Sequence, residues 1–428
     1  MSELLDFYQQ QAVAGSSSIS STPHWIAQLQ EKALAEFLRL GFPSKHHENW
    51  KYTTIDSFLQ KRFVSQQPGN QNTIKTELEN NPPVQHKIAF INGVVVGADE
   101  LAAKLPAGVI VQPLAQAWLS HADKMTPYLG QILQTEHGFH ALNMAMLQGG
   151  LFIYLPAGVS IDEPLLIAHW QDKASQAIHL RHIIVAEAGS CVSVIEDYNG
   201  DDAASYFTNT VTEIYAAARA KVTHYKIQRE SKQAYHIGHL SVKQETGSQV
   251  DSHSFSIGGK LVRSDITINL HEPHAQCLMN GLYAPAEGQH IDHHTLVTHE
   301  VPDCLSEQDY KGILTGKSRA VFNGRVVVAK DAQHTVAKQQ NKNLLLSANA
   351  EIDTKPQLEI FADDVICTHG ATVGQLDEDA LFYLAARGIE QAEASQFLIQ
   401  AFAAENLRTI PNTELAGWLE TLLNQQLR

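Results

Sequence analysis

Cys367 and His369 stand two residues apart near the end of a β-like segment, residues 361–374. In an extended strand that spacing turns both side chains to the same face. A thiolate beside an imidazole is a soft and borderline ligand pair, suited to iron or to a transient iron-sulfur species. Two ligands cannot close a site, so the remaining donors must come from another protein, from sulfide or from a carrier, which implies an interface position. Spacing alone also allows a plainer reading, with Cys367 a small buried hydrophobe and His369 a strand histidine whose hydrogen bonds are satisfied.

The remaining thiols, Cys191, Cys277 and Cys304, are scattered and form no Cys-x-x-Cys pair. That is too sparse for a disulfide framework and too dispersed for a resident four-thiolate cluster, so reduced cysteines are expected. Two other motifs invite chemistry and are read structurally. The run His290, Asp292, His293, His294 with His299 has no fixed ligand spacing. On a strand His290, Asp292 and His294 share one face and suit solvated or ladder-bonded side chains. Gly312, Gly316, Lys317 and Ser318 imitate a phosphate-binding loop but stand one residue short and run into a β-like stretch. No helix N-terminus would face a phosphate there, so the segment reads as a turn.

The chain around these residues has 428 positions, 44% of them hydrophobic, and a formal charge of -15 from 46 acidic and 31 basic residues. Such a surface is not built to neutralise phosphates, which argues against nucleic acid as a partner. Residues 1–11 lack the basic and apolar parts of a secretory signal. The most apolar stretch, residues 151–170, is cut by Pro156, Asp162, Glu163 and Pro164, so no membrane span and a cytoplasmic location are expected.

The elements that must position the pair are mainly β. Thr22, Pro23 and the three- and four-residue spacing of Ile26, Leu29, Ala33, Phe37 and Leu40 before Gly41 predict an amphipathic helix. A Gln-, Asn- and Pro-rich stretch, residues 64–83, reads as a linker. These features give an N-terminal helical domain over residues 1–85. A β core follows over residues 86–374, with a helical insertion near 126–148. A C-terminal helical domain, residues 375–428, closes the chain with Gly388 as a helix stop. Within the core, Val192, Val222, Val250, Cys277, Leu305, Val321, Val336, Ile352 and Cys367 each open an alternating run. Their steps are 30, 28, 27 and 28 residues, then 16, 15, 16 and 15. The long steps are about twice the short ones, as a coil of two β segments gives, so the pattern predicts a β-helix (β-solenoid) with a β-sandwich as the alternative. Helices at its ends are expected to shield the edge strands.

Several segments together resemble the SufB/SufD family. They are His47 to Thr53 (His-Glu-Asn-Trp-Lys-Tyr-Thr), Gly316 to Gly324, residues 351–360, the Cys367-Thr-His369-Gly-Ala-Thr stretch, and Leu381 to Ile389. They keep their order across residues 46–389, and Ala386, where serine is common, is a small departure.

The resemblance implies a β-helix core flanked by N- and C-terminal α-helical domains, and a scaffold role in iron-sulfur cluster assembly within the SUF (SufBCD) complex. SufB is the implied partner in a heterodimer and SufC the ATPase, with a homodimer possible for the isolated chain. Neither catalysis nor nucleotide binding by this chain is implied. On the same ground His369, with Cys367 as the weaker neighbour, is implied to touch a transient cluster shared with SufB. The C-terminal helices are implied to dock SufC, with Phe382, Tyr383, Arg387, Phe397, Phe402 and Trp418 as contact residues. A β-helix enzyme acting on carbohydrate, and a purely architectural subunit, are the competing readings.

Overall fold

The computed structural model describes residues 2–18, 22–65, 81–147 and 149–427, so most of the expected linker lies outside the described residues. Two ten-stranded sheets face each other. From Leu151–Leu155 onward the chain alternates between them: Leu165–Gln171 joins the second sheet, Gln176–Ala186 the first, Cys191–Gly200 the second, and so on to Glu351–Ile360 and Val365–Gly374. Neighbours along this path are parallel and in register. Parallel pairing needs a crossover, and here each crossover is one strand of the opposite sheet. That decides for a β-solenoid with two strands per coil. At the starting end, Val94–Val96 and Ile110–Pro113 close the sheets by antiparallel pairing.

The register explains the repeat. Val192, Val222, Val250 and Cys277 stack directly on one another. Cys277 then pairs with Ser306, not Leu305, and the column continues through Ala337 to Cys367. Leu305 therefore stands one residue out of register, on the outer face and 38% exposed. Val321 and Ile352 belong to the opposite sheet, which is why the later steps are half as long.

Local signals set the helices. His24–Leu40 starts one residue beyond Pro23 and stops at Gly41, whose φ is 64°. The helix Gly138–Ala145 begins at Gly138 instead of spanning it. A Cβ on Gly138 would stand 1.9 Å from the Gly41 carbonyl oxygen, so this close approach requires glycine. Asp377 caps Glu378–Ala385 by accepting from the Asp379 and Ala380 amides, and Asn412 caps Thr413–Gln426 through the Leu415 amide.

The helices cover the flat faces of the sheets, not the far end. The N-terminal segment and Gly138–Ala145 lie on the first sheet through Tyr8, Phe37, Phe42, Trp50, Phe58 and Phe139, which meet Phe207 and Tyr235. Gln391–Leu407 and Thr413–Gln426 lie on the second sheet, where Leu415, Leu419 and Leu423 join a cluster with Ile195, Ile227, Phe255 and Leu282. The stripe on the last helix is thus core, and at about 25 cal/mol per Å² its burial favours face packing over end capping. At the far end, Glu351–Ile360 and Val365–Gly374 each pair on one side only among the described residues. The expected shield over these edge strands is absent there.

Candidate functional site

The last strand carries the sequence-predicted pair. Cys367 points into the solenoid, half-buried against Val326, Val328, Ala332 and Ala337. Burial pushes its thiol up, opposed by a hydrogen bond with the Ala337 backbone. His369 faces the same way but is exposed, because no further coil covers it. It tops the register column Val194, His224, Ser252, Met279, Gln308 and Gln339. Cys277 lies three strands below Cys367 in the same column. At about 4.8 Å per strand that is about 14 Å, too far to ligate the same ion. The four cysteines are free.

Behind His369 the interior is polar, which sequence reading missed. Gln308 accepts from Thr295 at 2.8 Å and from Gln339 at 3.3 Å. Tyr283 donates to Asn343 at 2.6 Å, and Thr354 donates to Asn341 at 2.8 Å. Deeper, Glu196 receives Tyr198, His224 at 2.8 Å, and Thr212 at 2.5 Å, the last of these bridging the two sheets. Burial alone would raise the Glu196 carboxyl, but the His224 bond and charge, with His182 and Thr212, hold it well below the usual range. One coil on, Glu230 pairs with His236 at 2.7 Å and Thr208 at 2.6 Å. Between these pairs sits Lys226, whose ammonium burial pushes down to about 8. Gly238 makes room for it: a Cβ there would stand 2.0 Å from Nζ. These residues stand one coil apart in sequence, as Glu196 and His224 do. The repeat spacing was therefore the only available signal.

The two imitative motifs resolve as structure. Glu287 Oε2 accepts from the Lys317 amide at 2.6 Å, and Ser347 Oγ accepts from the Gly316 amide at 2.8 Å. The turn amides that would cradle a phosphate are taken by the coils on either side. In the histidine run, Asp292 meets His294 at 3.0 Å, Arg263 at 2.9 Å and Thr53 at 2.5 Å. Arg263 also donates to the Asn49 carbonyl at 2.6 Å and lies over the Trp50 ring. The His-Glu-Asn-Trp segment is thereby clamped to the first sheet.

The six aromatic and basic residues expected at a partner surface divide. Phe382 (76% exposed), Tyr383 (56%) and Phe397 (47%) are open, and Arg387 lies over the Tyr383 ring. Phe402 and Trp418 are half-buried in the cluster on the second sheet. Lys311 covers the Phe402 ring and Arg229 the Trp418 ring. Those two rings seat the helices on the chain's own solenoid.

The geometry defines a class: a parallel β-solenoid clad by helices on both faces, partly polar inside, with a thiol and an imidazole on its last described coil. The family models for the SUF system FeS cluster assembly SufBD core domain and the SufBD N-terminal region match residues 169–402 and 1–167. The chain belongs to the SufBD family of SUF-system iron-sulfur cluster assembly proteins. It is 32% identical to iron-sulfur cluster assembly protein SufD of Escherichia coli (strain K12), covering 93% of this chain and 92% of that one. A SufBD family protein of Synechocystis sp. is 31% identical over 96% and 93% of the two chains. SufD of Bacillus subtilis (strain 168) is 24% identical over 95% of each. No helix among the described residues is long and apolar enough to cross a membrane.

Proposed function

We propose that this chain is the SufD-type scaffold subunit of a SUF complex, pairing with SufB through its uncovered last coil and docking the ATPase SufC through its C-terminal helices. The observation that carries this reading is the last strand, Val365–Gly374, with one hydrogen-bonding edge unpaired and His369 exposed upon it. An unpaired strand edge with exposed Ile366 and Val373 is a template for another chain, and two facing edges bring two sets of donors together. A transient iron-sulfur cluster shared with SufB is the cargo held there, with His369 a ligand and Cys367 its weaker neighbour. In the isolated chain the same edge suits a homodimer.

The chain itself is not a catalyst and binds no nucleotide on this reading. ATP-driven association of two SufC copies pulls on the scaffold helices and shifts a bistable interface toward a state that exposes the ligands, in the cytoplasm. Phe382, Tyr383, Arg387 and Phe397 form the SufC contact, with Phe402 and Trp418 holding that surface against the solenoid. The test is anaerobic iron and sulfide quantification on the reconstituted complex with His369→Ala and Cys367→Ser. Loss of cluster with an intact complex for His369→Ala supports the site. Wild-type cluster content in both variants would make the subunit purely architectural.

A further inference from the structure

On the opposite face of the molecule from the C-terminal helices, His137 ends a loop and precedes the helix Gly138–Ala145, and His140 follows on its first turn. Their rings lie with centroids 3.6 Å apart. His137 is buried, yet neither of its ring nitrogens has a hydrogen-bond partner among the described residues, and Nε2 stands 3.7 Å from Asp265 Oδ2. Orphaned buried nitrogens are rare and need a reason. One ligating atom from each of His137, His140 and Asp265 lies within 4.8 Å of the others.

The surroundings prepare these atoms for a cation. The Glu136 amide points at His140 Nδ1 at 3.3 Å, so that nitrogen carries a lone pair. His140 Nε2 then donates to His239 Nδ1 at 2.8 Å, the kind of outer bond that fixes the tautomer of a ligating imidazole. The long Glu136 contact is the sole competitor for that lone pair among the described bonds. Arg263 holds Asp265 in place at 2.8 Å, and its charge is already shared with Asp292 at 2.9 Å. Glu136 lies beside them, near both Arg263 and Arg325, and the Arg325 guanidinium is already paired with Glu359 at 2.7 Å. A cleft of about 220 Å³ reaches His137, Glu136 and Arg263, and a second of about 70 Å³ reaches Asp265 and His239.

We infer that His137, His140 and Asp265 form a binding site for a divalent first-row transition ion, with one position open to the cleft. Two imidazoles and a carboxylate suit Zn²⁺, Fe²⁺ or Co²⁺ over Ca²⁺ or Mg²⁺, which prefer all-oxygen sets. The similar grouping of His169, His182 and Glu196 also leaves both His169 ring nitrogens without a hydrogen-bond partner among the described residues, but its surroundings differ. It is buried inside the solenoid beside the Lys226 ammonium, whose positive charge opposes a cation there.

The test is a Co²⁺ titration of the chelator-stripped full chain carrying Cys367→Ser and His369→Ala, which removes the last-coil ligands. One equivalent should bind with visible d–d absorption, displaced by Zn²⁺. His137→Ala and Asp265→Asn should each weaken it by about tenfold or more, with His169→Ala unchanged. No stoichiometric binding, or equal affinity in both ligand variants, overturns the inference. Should a variant fail to fold, Zn²⁺-soaked crystals of the unaltered chain decide. An anomalous peak between His137, His140 and Asp265 supports the site, and its absence there overturns it.

Discussion

Glu213→Gln changes one buried atom type and should release a defined segment. Glu213, 0% exposed, accepts from the Gly130 amide at 3.0 Å, Ile132 at 3.1 Å, Leu133 at 2.9 Å and Arg181 Nε at 2.7 Å. Arg181 is equally buried and donates onward to Asn143 at 3.2 Å. A glutamine keeps the shape, but its NH₂ must face either the Ile132 and Leu133 amides or the Gly130 amide and the guanidinium. Either way donors oppose donors, and the Arg181 charge loses its partner. Breaking a buried pair from one side costs about 3–5 kcal/mol. Because the anchored segment can open without unfolding the solenoid, the loss should appear locally. Amide hydrogen exchange read at Gly130, Ile132 and Leu133 is expected to accelerate by about 10² to 4 × 10³-fold, at about 1.4 kcal/mol per decade. Arg181→Met with Glu213→Gln should restore a large part of the protection, since no unpaired charge remains. An acceleration under tenfold, or a double variant as unprotected as the single one, refutes the reasoning.

Further outcomes follow from other sites. Lys226 titrates near 8 in the fold, against about 10.4 in an unfolded chain. Its burial penalty is therefore complete below pH 8 and disappears between 8 and 10.5, so stability gains with rising pH in that window. Lys226→Met should raise stability at pH 7 by at most about 3 kcal/mol, less whatever the partly uncompensated Glu196 and Glu230 take back. Urea midpoints that differ by the same amount at pH 7 and pH 10 would contradict this. Gly281→Ala places a Cβ 2.1 Å from the buried Tyr310 ring and should cost about 1–3 kcal/mol, read as a lowered thermal midpoint. Phe382→Ala with Tyr383→Ala, both exposed, should leave stability within about 0.5 kcal/mol of its starting value and, on the proposed docking role, weaken SufC capture by about tenfold or more.

The relation between Cys367 and His369 was legible because strand alternation is local: two residues apart is enough to put both on one face. The coil length was legible too, while apolar residues marked the inward column from Val192 to Cys277. It slipped at Leu305 because the interior turns polar there, through Ser306, Gln308 and Tyr310, and the hydrophobic cue moved to the outer face. The Glu196–His224 bond and its relatives gave no local signal, since nothing in one sequence says which side of a polar strand is inside. The His137 site was hidden further. Its spacing along the helix is visible, but His140 and His239 are 99 residues apart and meet only once the N-terminal segment is laid on the first sheet. The helices were legible at their caps, yet their seat on the faces depended on outward apolar rows such as Ile195, Ile227 and Phe255, indistinguishable in text from inward ones.

The column that runs from Val192 to Cys367 also sets how freely its last member breathes. In a stack where each coil is held only by its neighbours, an interior coil has two interfaces to surrender and the terminal coil has one. Glu351–Ile360 and Val365–Gly374 are that terminal coil, without a helix over their outer edge among the described residues. Fraying there leaves the rest of the stack folded, so the strand bearing His369 can be peeled, exchanged or re-paired at a fraction of the cost of disturbing Val192 or Val222.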